Sequence, residues 1–166
     1  GDENVIYNNG VIERPDDSDL SGYAVITSLG SVTLSNNGTL TGSVLLNSEG
    51  TEYLNYITND EDGVFNAGAI LSVGDAGAYM GRFYNYGAVS PGGLYSVQTT
   101  TFSGEDFYQF ASGVLQIDLS FASSDTTVTT TSDVIQAAYA SFDLTGSVSV
   151  ALSGWTLLAD GESGSS

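Results

Sequence analysis

An all-β fold, wound as a parallel β-helix of stacked and similar coils, is the architecture to expect of this chain on three grounds. The first is a repeat. Asn-x-Gly-x-aliphatic occurs at Asn8-Gly10-Ile12, Asn36-Gly38-Leu40, Asn66-Gly68-Ile70 and Asn85-Gly87-Val89. Chance would supply roughly 0.3 such matches at this composition, so the pattern is read as structural. A fifth site, Gly113-Val114-Leu115, keeps the glycine and the aliphatic residue but has Ala111 in the asparagine place. The glycines are separated by 28, 30, 19 and 26 positions, the range of a solenoid whose coils differ in loop length. The second ground is period-two alternation of apolar residues, and the third is the lack of any helix-period stretch of useful length.

The elements follow in order. Short strands are expected at Val25-Ile26, Val32-Leu34, Leu40 and Val44-Leu46. Turn chemistry separates them at Asn9-Gly10, Asn37-Gly38, Asp62-Gly63 and Ser90-Pro91-Gly92-Gly93. The clearest strand sets Leu115, Ile117, Leu119 and Phe121 on one face and Gln116, Asp118 and Ser120 on the other. A single peripheral helical turn is allowed over 132–138. Beyond it Ala138, Ala140, Phe142, Leu144, Val148, Val150 and Leu152 all hold even positions, with Gly146 as a bend that keeps the parity. These last two stretches hold the densest apolar alternation, so the C-terminal half is expected to be the firmer, with a protease-resistant core retaining residues 85 to 158.

Two all-β architectures compete. A sandwich wants hairpins every 8–12 residues, roughly, and two closed sheets. A parallel β-helix wants coils of about 20 residues or more, each with two or three short strands. The glycine spacing favours the β-helix. Stacked asparagines can pass amide hydrogen bonds up a column, and glycine admits a bend where a Cβ would clash. Asn66 and Asn85 are then expected at equivalent positions, about 4.8 Å apart. Independent Asn- and Gly-rich turns are the plain alternative. One elongated domain over residues 1–160 is expected, with 161–166 as a flexible linker or tail. Gly1 reads as a cloning remnant, and together with that tail it suggests a piece of a longer protein.

Composition narrows the function. Hydrophobic residues make up 41% of the chain and charged residues only 13%. Arg14 and Arg82 stand alone against 20 acidic residues, for a formal net charge of -18. Nucleic acid and anionic membranes both demand clustered cations, so both are excluded as partners. With no cysteine and no histidine there is no disulfide, no thiolate or imidazole zinc site, and no Ser-His-Asp or Cys-His nucleophile. No apolar run approaches the ~18 residues of a membrane span, and no signal peptide opens the chain.

From Asn85-Tyr86-Gly87-Ala88-Val89-Ser90-Pro91-Gly92 onward the sequence resembles the passenger domains of bacterial autotransporters. The likeness is to the pertactin-like β-helix just before the translocator barrel. In that family an N-x-G-x-hydrophobic-x-P-G element precedes a strand matched here by Gly113-Val114-Leu115-Gln116-Ile117-Asp118-Leu119. Then come a Ser-Asp-hydrophobic step, Ser132-Asp133-Val134, and Leu144-Thr145-Gly146-Ser147-Val148-Ser149-Val150. Four elements in order cover residues 85 to 152, while 1 to 84 share only the looser repeat. The stretch 125–131 is longer than the family pattern, and no barrel follows within this sequence.

The resemblance implies a right-handed β-helix, exported through the outer membrane and held at the cell surface or outside it as a stalk or adhesin segment associated with virulence. It implies no enzyme, a covalently linked barrel in the parent, and a surface protein or glycan as partner. It also makes residues 107–152 the folding-stabilising, autochaperone-like end. The family's poverty in cysteine suits passage through the barrel pore.

Candidate chemistry is thin. Thr58-Asn59-Asp60-Glu61-Asp62-Gly63 is the densest acidic stretch. Set on an EF-hand loop, it puts Thr58 first and Ala69 twelfth, without the bidentate glutamate, so it reads as a solvated turn. Asp16-Asp17-Ser18-Asp19 has the same standing. Asp118 is the tempting catalytic carboxylate, but its parity opposes Leu115, Ile117 and Leu119 and is expected to put it on the solvent face. Lyase-type β-helices also need cations to stabilise an enolate. The aromatic clusters Phe83-Tyr84-Tyr86 and Phe107-Tyr108-Phe110 would serve as a binding platform if exposed, and are expected instead to fill coil corners or an end. Trp155 is expected to cover the last coil. No catalytic, cofactor-binding or metal-ligating residue is assigned, and no cofactor. The rival readings are a carbohydrate-active β-helix enzyme and a calcium-stabilised β-sandwich adhesin repeat.

Overall fold

The computed structural model describes residues 4–14, 22–27, 30–46, 54–74, 81–124, 127–138 and 140–153. Every regular element among them is a strand, laid down in six passes. The first pass holds β1 (Asn4–Asn8), β2 (Val11–Glu13) and β3 (Tyr23–Thr27); the second holds β4 (Val32–Asn36) and β5 (Thr39–Leu46). The third holds β6 (Tyr56–Asn59) and β7 (Val64–Ser72); the fourth holds β8 (Arg82–Asn85), β9 (Ala88–Pro91) and β10 (Thr99–Ser103). The fifth holds β11 (Asp106–Gln109), β12 (Val114–Ser124), β13 (Thr127–Ser132) and β14 (Val134–Gln136). The sixth holds β15 (Ser141–Leu144) and β16 (Ser147–Ser153).

Two sheets result. The opening strands of the passes make a first sheet in the order β1-β4-β6-β8-β11-β15. The second sheet stacks β2 and β3 on β5, β5 on β7, β7 on β9 and β10, and those on β12 and β14, with β16 last on β12. All of these pairings are parallel; only β12 and β13 pair antiparallel, as a hairpin inserted into the fifth pass. Parallel pairing between successive passes is what a sandwich of hairpins lacks. Neither sheet closes on itself.

Alternation explains the core between the sheets. In the first sheet Ile6, Leu34, Ile57, Phe83, Phe107 and Phe142 are register partners on the inward face. In the second, Ile12, Leu40, Phe65, Val89, Leu115 and Val148 answer them. Phe83 stacks on Phe107 at 4.7 Å and near Phe65 at 5.7 Å. A fully buried side chain of this size contributes about 1.5–3 kcal/mol, and the fully buried ones run from Val32 to Phe107.

A column of amides marks the corner between the sheets. Asn8, Asn36, Asn59, Asn85 and Gln109 are successive register partners, all buried. Asn8 Nδ2 donates to Asn36 Oδ1 at 2.7 Å, Asn36 Nδ2 to Asn59 Oδ1 at 2.7 Å, and Asn59 Nδ2 to Asn85 Oδ1 at 2.9 Å. The same donors reach the carbonyls of Thr39, Val64 and Ala88 in the next pass. Glycines follow at 10, 38, 63, 87, 113 and 146, spaced by 28, 25, 24, 26 and 33 residues. A Cβ on Gly87 would run into the carbonyl oxygens of Asp60 and Gly63 in the pass below.

Four expectations need correcting. Asn66 is not in the asparagine column: it lies mid-β7, half-buried, donating to Thr41 Oγ1 at 3.0 Å, and its place is taken by Asn59. The sequence pattern slipped because the third corner is longer, Asp60-Glu61-Asp62 standing where one residue was expected, closed by Gly63 N–H on Asp60 O at 2.8 Å. Residues 132–138 form no helical turn but the end of β13 and the strand β14, which pairs with β10. The C-terminal alternation is not the densest burial. Phe142, Leu144, Val148, Val150 and Leu152 are all exposed, because no described strand covers the far side of β15 and β16. Asp118 keeps its expected parity but is buried, for a reason given below. The expectations for Gly1, for Asp16, Asp17 and Asp19, for Trp155 and for the tail 161–166 lie outside the described residues.

Candidate functional site

The outward face of the first sheet carries the aromatic half of each cluster. In Phe83-Tyr84-Asn85-Tyr86 and Phe107-Tyr108-Gln109-Phe110, strand alternation sends the first and third residues inward and the others out. Tyr84 and Tyr108 are register partners with ring centroids 5.6 Å apart, and Tyr56 extends the stack at 6.3 Å from Tyr84. At the corner Tyr86 and Phe110 lie face to face at 4.2 Å. All five rings are half-buried. Phe83 and Phe107 fill the interior, while the outward rings form a ladder across the third to fifth passes, with Tyr86 and Phe110 at the corner.

Charge surrounds the ladder. Arg82 Nε donates to Asp106 Oδ2 at 3.0 Å, and its Nη2 lies 2.8 Å from Glu105 Oε2. Tyr108 Oη donates to the same Asp106 oxygen at 3.1 Å, which, with burial, raises its pKa above the ordinary phenol value. The hydrogen bond to Asp106 likewise holds the Arg82 guanidinium charged well beyond its usual range. Asp60, in the acidic turn, accepts from Ser35 Oγ at 2.6 Å, and Glu61 and Asp62 beside it are exposed. The turn thus closes a corner. Among the described residues no group of three or more acidic side chains is placed to hold a metal ion.

Asp118 tells a different story from the one its parity suggests. It points outward from the second sheet, but the segment 92–98, linking β9 to β10, straps across it. Gly92, Gly93 and Tyr95 take positive φ angles of 74°, 78° and 68° to make that strap. Ser96 N–H donates to Asp118 Oδ2 at 2.9 Å. Asp133, between β13 and β14, joins the site: its Oδ1 accepts from Gln98 N–H at 2.7 Å and its Oδ2 from Asp118 N–H at 2.8 Å. Burial, aided by the Asp118 charge, pushes the Asp133 pKa above the ordinary carboxylate value, against the pull of those two N–H groups. Sequence reasoning weighed Asp118 alone. The Ser132-Asp133-Val134 step was visible, but its meeting with Asp118 depends on the β12–β13 hairpin.

These two carboxyl groups are held by backbone N–H groups under the strap, and among the described residues no cation is paired with them. Arg82 is engaged on the other sheet. Compared with protein-family models, with curated proteins and with solved structures, the chain matches none.

Proposed function

We propose that this chain is a segment of a right-handed parallel β-helix, a non-enzymatic stalk or adhesin module of an autotransporter passenger displayed on a bacterial surface. The observation that carries the reading is the in-register column Asn8-Asn36-Asn59-Asn85-Gln109, which stacks successive passes in one direction. Such a column stiffens a rod and requires no ligand. Handedness follows the general preference of crossover connections and the sequence resemblance. The outward aromatic ladder is the face we assign to contact with a surface protein or glycan, since half-exposed tyrosines are favoured at interfaces.

Two rivals have less support. A saccharide-cleaving enzyme needs carboxylates converging on an open groove with a cation, whereas Asp118 and Asp133 are covered. A calcium-dependent sandwich needs antiparallel sheets. The expected folding-first role of 107–152 is weakened by its exposed apolar residues; the buried core of the second to fifth passes suits that role better.

The test is display. Fused to a translocator barrel, the chain should reach the cell surface and be cut there by added protease. Gly87→Asp, which breaks the corner, should lower the displayed amount at least about tenfold if stacking drives export. Display that is indifferent to this change, or polysaccharide turnover by the purified chain, would overturn the reading.

A further inference from the structure

Under the 92–98 strap two carboxyl groups are buried with one donor too few. Asp118 is 1% exposed and Asp133 6%. Their four oxygens receive three hydrogen bonds, all from backbone N–H groups, those of Ser96, Gln98 and Asp118 itself. The fourth oxygen, Asp118 Oδ1, is buried and has no partner. Among the described residues no cation balances the pair, and the charge acting on Asp133 is that of Asp118. Apart from the exposed phenol of Tyr95, no other titratable side chain occurs on the strap or on β7, β9, β10, β12, β13, β14 or β16.

We propose that the Asp118–Asp133 pair binds one proton from solvent, held within the pair, and that this proton latches the strap. Two like charges in a poorly solvated site cannot both be held cheaply, and one proton removes the repulsion. The two carboxyls then titrate as a pair, in two separate steps.

The strap feels the proton because its anchors lie on different elements. Ser96 is tied to Asp118 within β12, and Gln98 to Asp133 between β13 and β14. With both groups ionised, the anchors repel and the strap, already holding three left-handed residues, loosens. The sign follows from linkage. A carboxyl that keeps its proton more tightly folded than unfolded adds stability as pH falls through its raised folded pKa. That stability is lost as pH rises through the same value.

The role is independent of surface display and is tested on the purified chain. In a 13C titration of the aspartate carboxyls, one group of the pair should keep its proton well above the ordinary value of about 4. Amide exchange at Ser96 and Gln98, corrected for its intrinsic pH dependence, should quicken about tenfold as pH rises through the raised value that the same titration reads. Asp118→Asn leaves one ionisable carboxyl where there were two, so the repulsion between the anchors cannot arise. That pH dependence should then flatten, and the thermal midpoint at about pH 7.5 should match or exceed the parent's. Ionisation of both carboxyls in the ordinary range would overturn the proposal, as would an unchanged exchange profile in Asp118→Asn. Should that variant fail to fold, the titration of the parent chain decides.

Discussion

The second to fourth passes and the sixth are built from the same kind of strand, yet only the former are buried. Leu34, Ile57 and Phe83 are at most 1% exposed, whereas their register descendant Phe142 is 41% exposed. Val89 is fully buried while Val148, two passes on in the same column, is 56% exposed. The difference is not in the side chains. In a stack each strand is covered by the passes on both sides of it, so burial belongs to a pass and its two neighbours. At the last described pass one neighbour is missing, and a hollow of about 260 Å³ lined by Phe107, Leu115, Ile117, Ile135, Phe142 and Leu144 remains.

The largest expected effect comes from cutting the two ends of that comparison alike. Phe83→Ala should cost about 3–5 kcal/mol, the usual range for a truncated core phenylalanine. Phe142→Ala should cost only about 1 kcal/mol, since much of its ring already meets solvent. Urea melts of both variants measure the contrast; equal losses would mean that the last pass is covered in solution. Proteolysis sharpens the same point. The resistant fragment should centre on residues 32 to 109, not on the 85 to 158 that apolar alternation alone suggests.

The amide column offers a second contrast, between a complete step and a broken one. Asn59 Nδ2 donates to Asn85 Oδ1, Gly63 O and Ala88 O, and Asn59 Oδ1 accepts from Asn36. Removing it in Asn59→Ala strands buried partners on both sides, at about 2–3 kcal/mol. One step on, the column fails. Asn85 Nδ2 and Gln109 Oε1 are both buried without a partner, although the two residues are in register. The longer glutamine instead reaches Ser147 O with Nε2 at 2.8 Å. Gln109→Asn should let the column resume and raise stability by about 0.5–1.5 kcal/mol. A drop would show that the Ser147 contact outweighs the lost step.

These particulars also show what the sequence could reveal. Asn8, Asn36 and Asn85 were legible as one column because a single residue separates each from its glycine. Asn59 and Gln109 were not, because their corners are three residues long, and the fixed pattern slid onto Asn66 instead. Strand identity was legible from Phe142 to Leu152 either side of Gly146, since it depends on local period, but not at Ala138 and Ala140, which lie outside the strands. Burial there was not, since it depends on a neighbouring pass. The parity of Asp118 was readable from Leu115, Ile117 and Leu119. Its cover was not, because that comes from a strap some 22 residues earlier. The aromatic ladder was half legible: alternation separates Phe83 from Tyr84, but only the register sets Tyr84 beside Tyr108.

The smallest effect concerns that ladder, and it separates packing from recognition. Tyr86 and Phe110 lie at 4.2 Å with their planes 6° apart, on a corner that the core does not touch. Offset aromatic pairs contribute about 0.5–1.5 kcal/mol beyond the area they bury. A double-mutant cycle of Tyr86→Ser and Phe110→Ser should therefore return a coupling in that range, read from urea melts. If the ladder serves only to hold passes together, its worth ends there. If it is the contact face assigned above, the double variant should stay folded, because Phe83 and Phe107 behind it are untouched, yet lose adhesion of displaying cells to their target surface. Adhesion that survives in a folded double variant would move the contact face elsewhere and leave these rings as a brace.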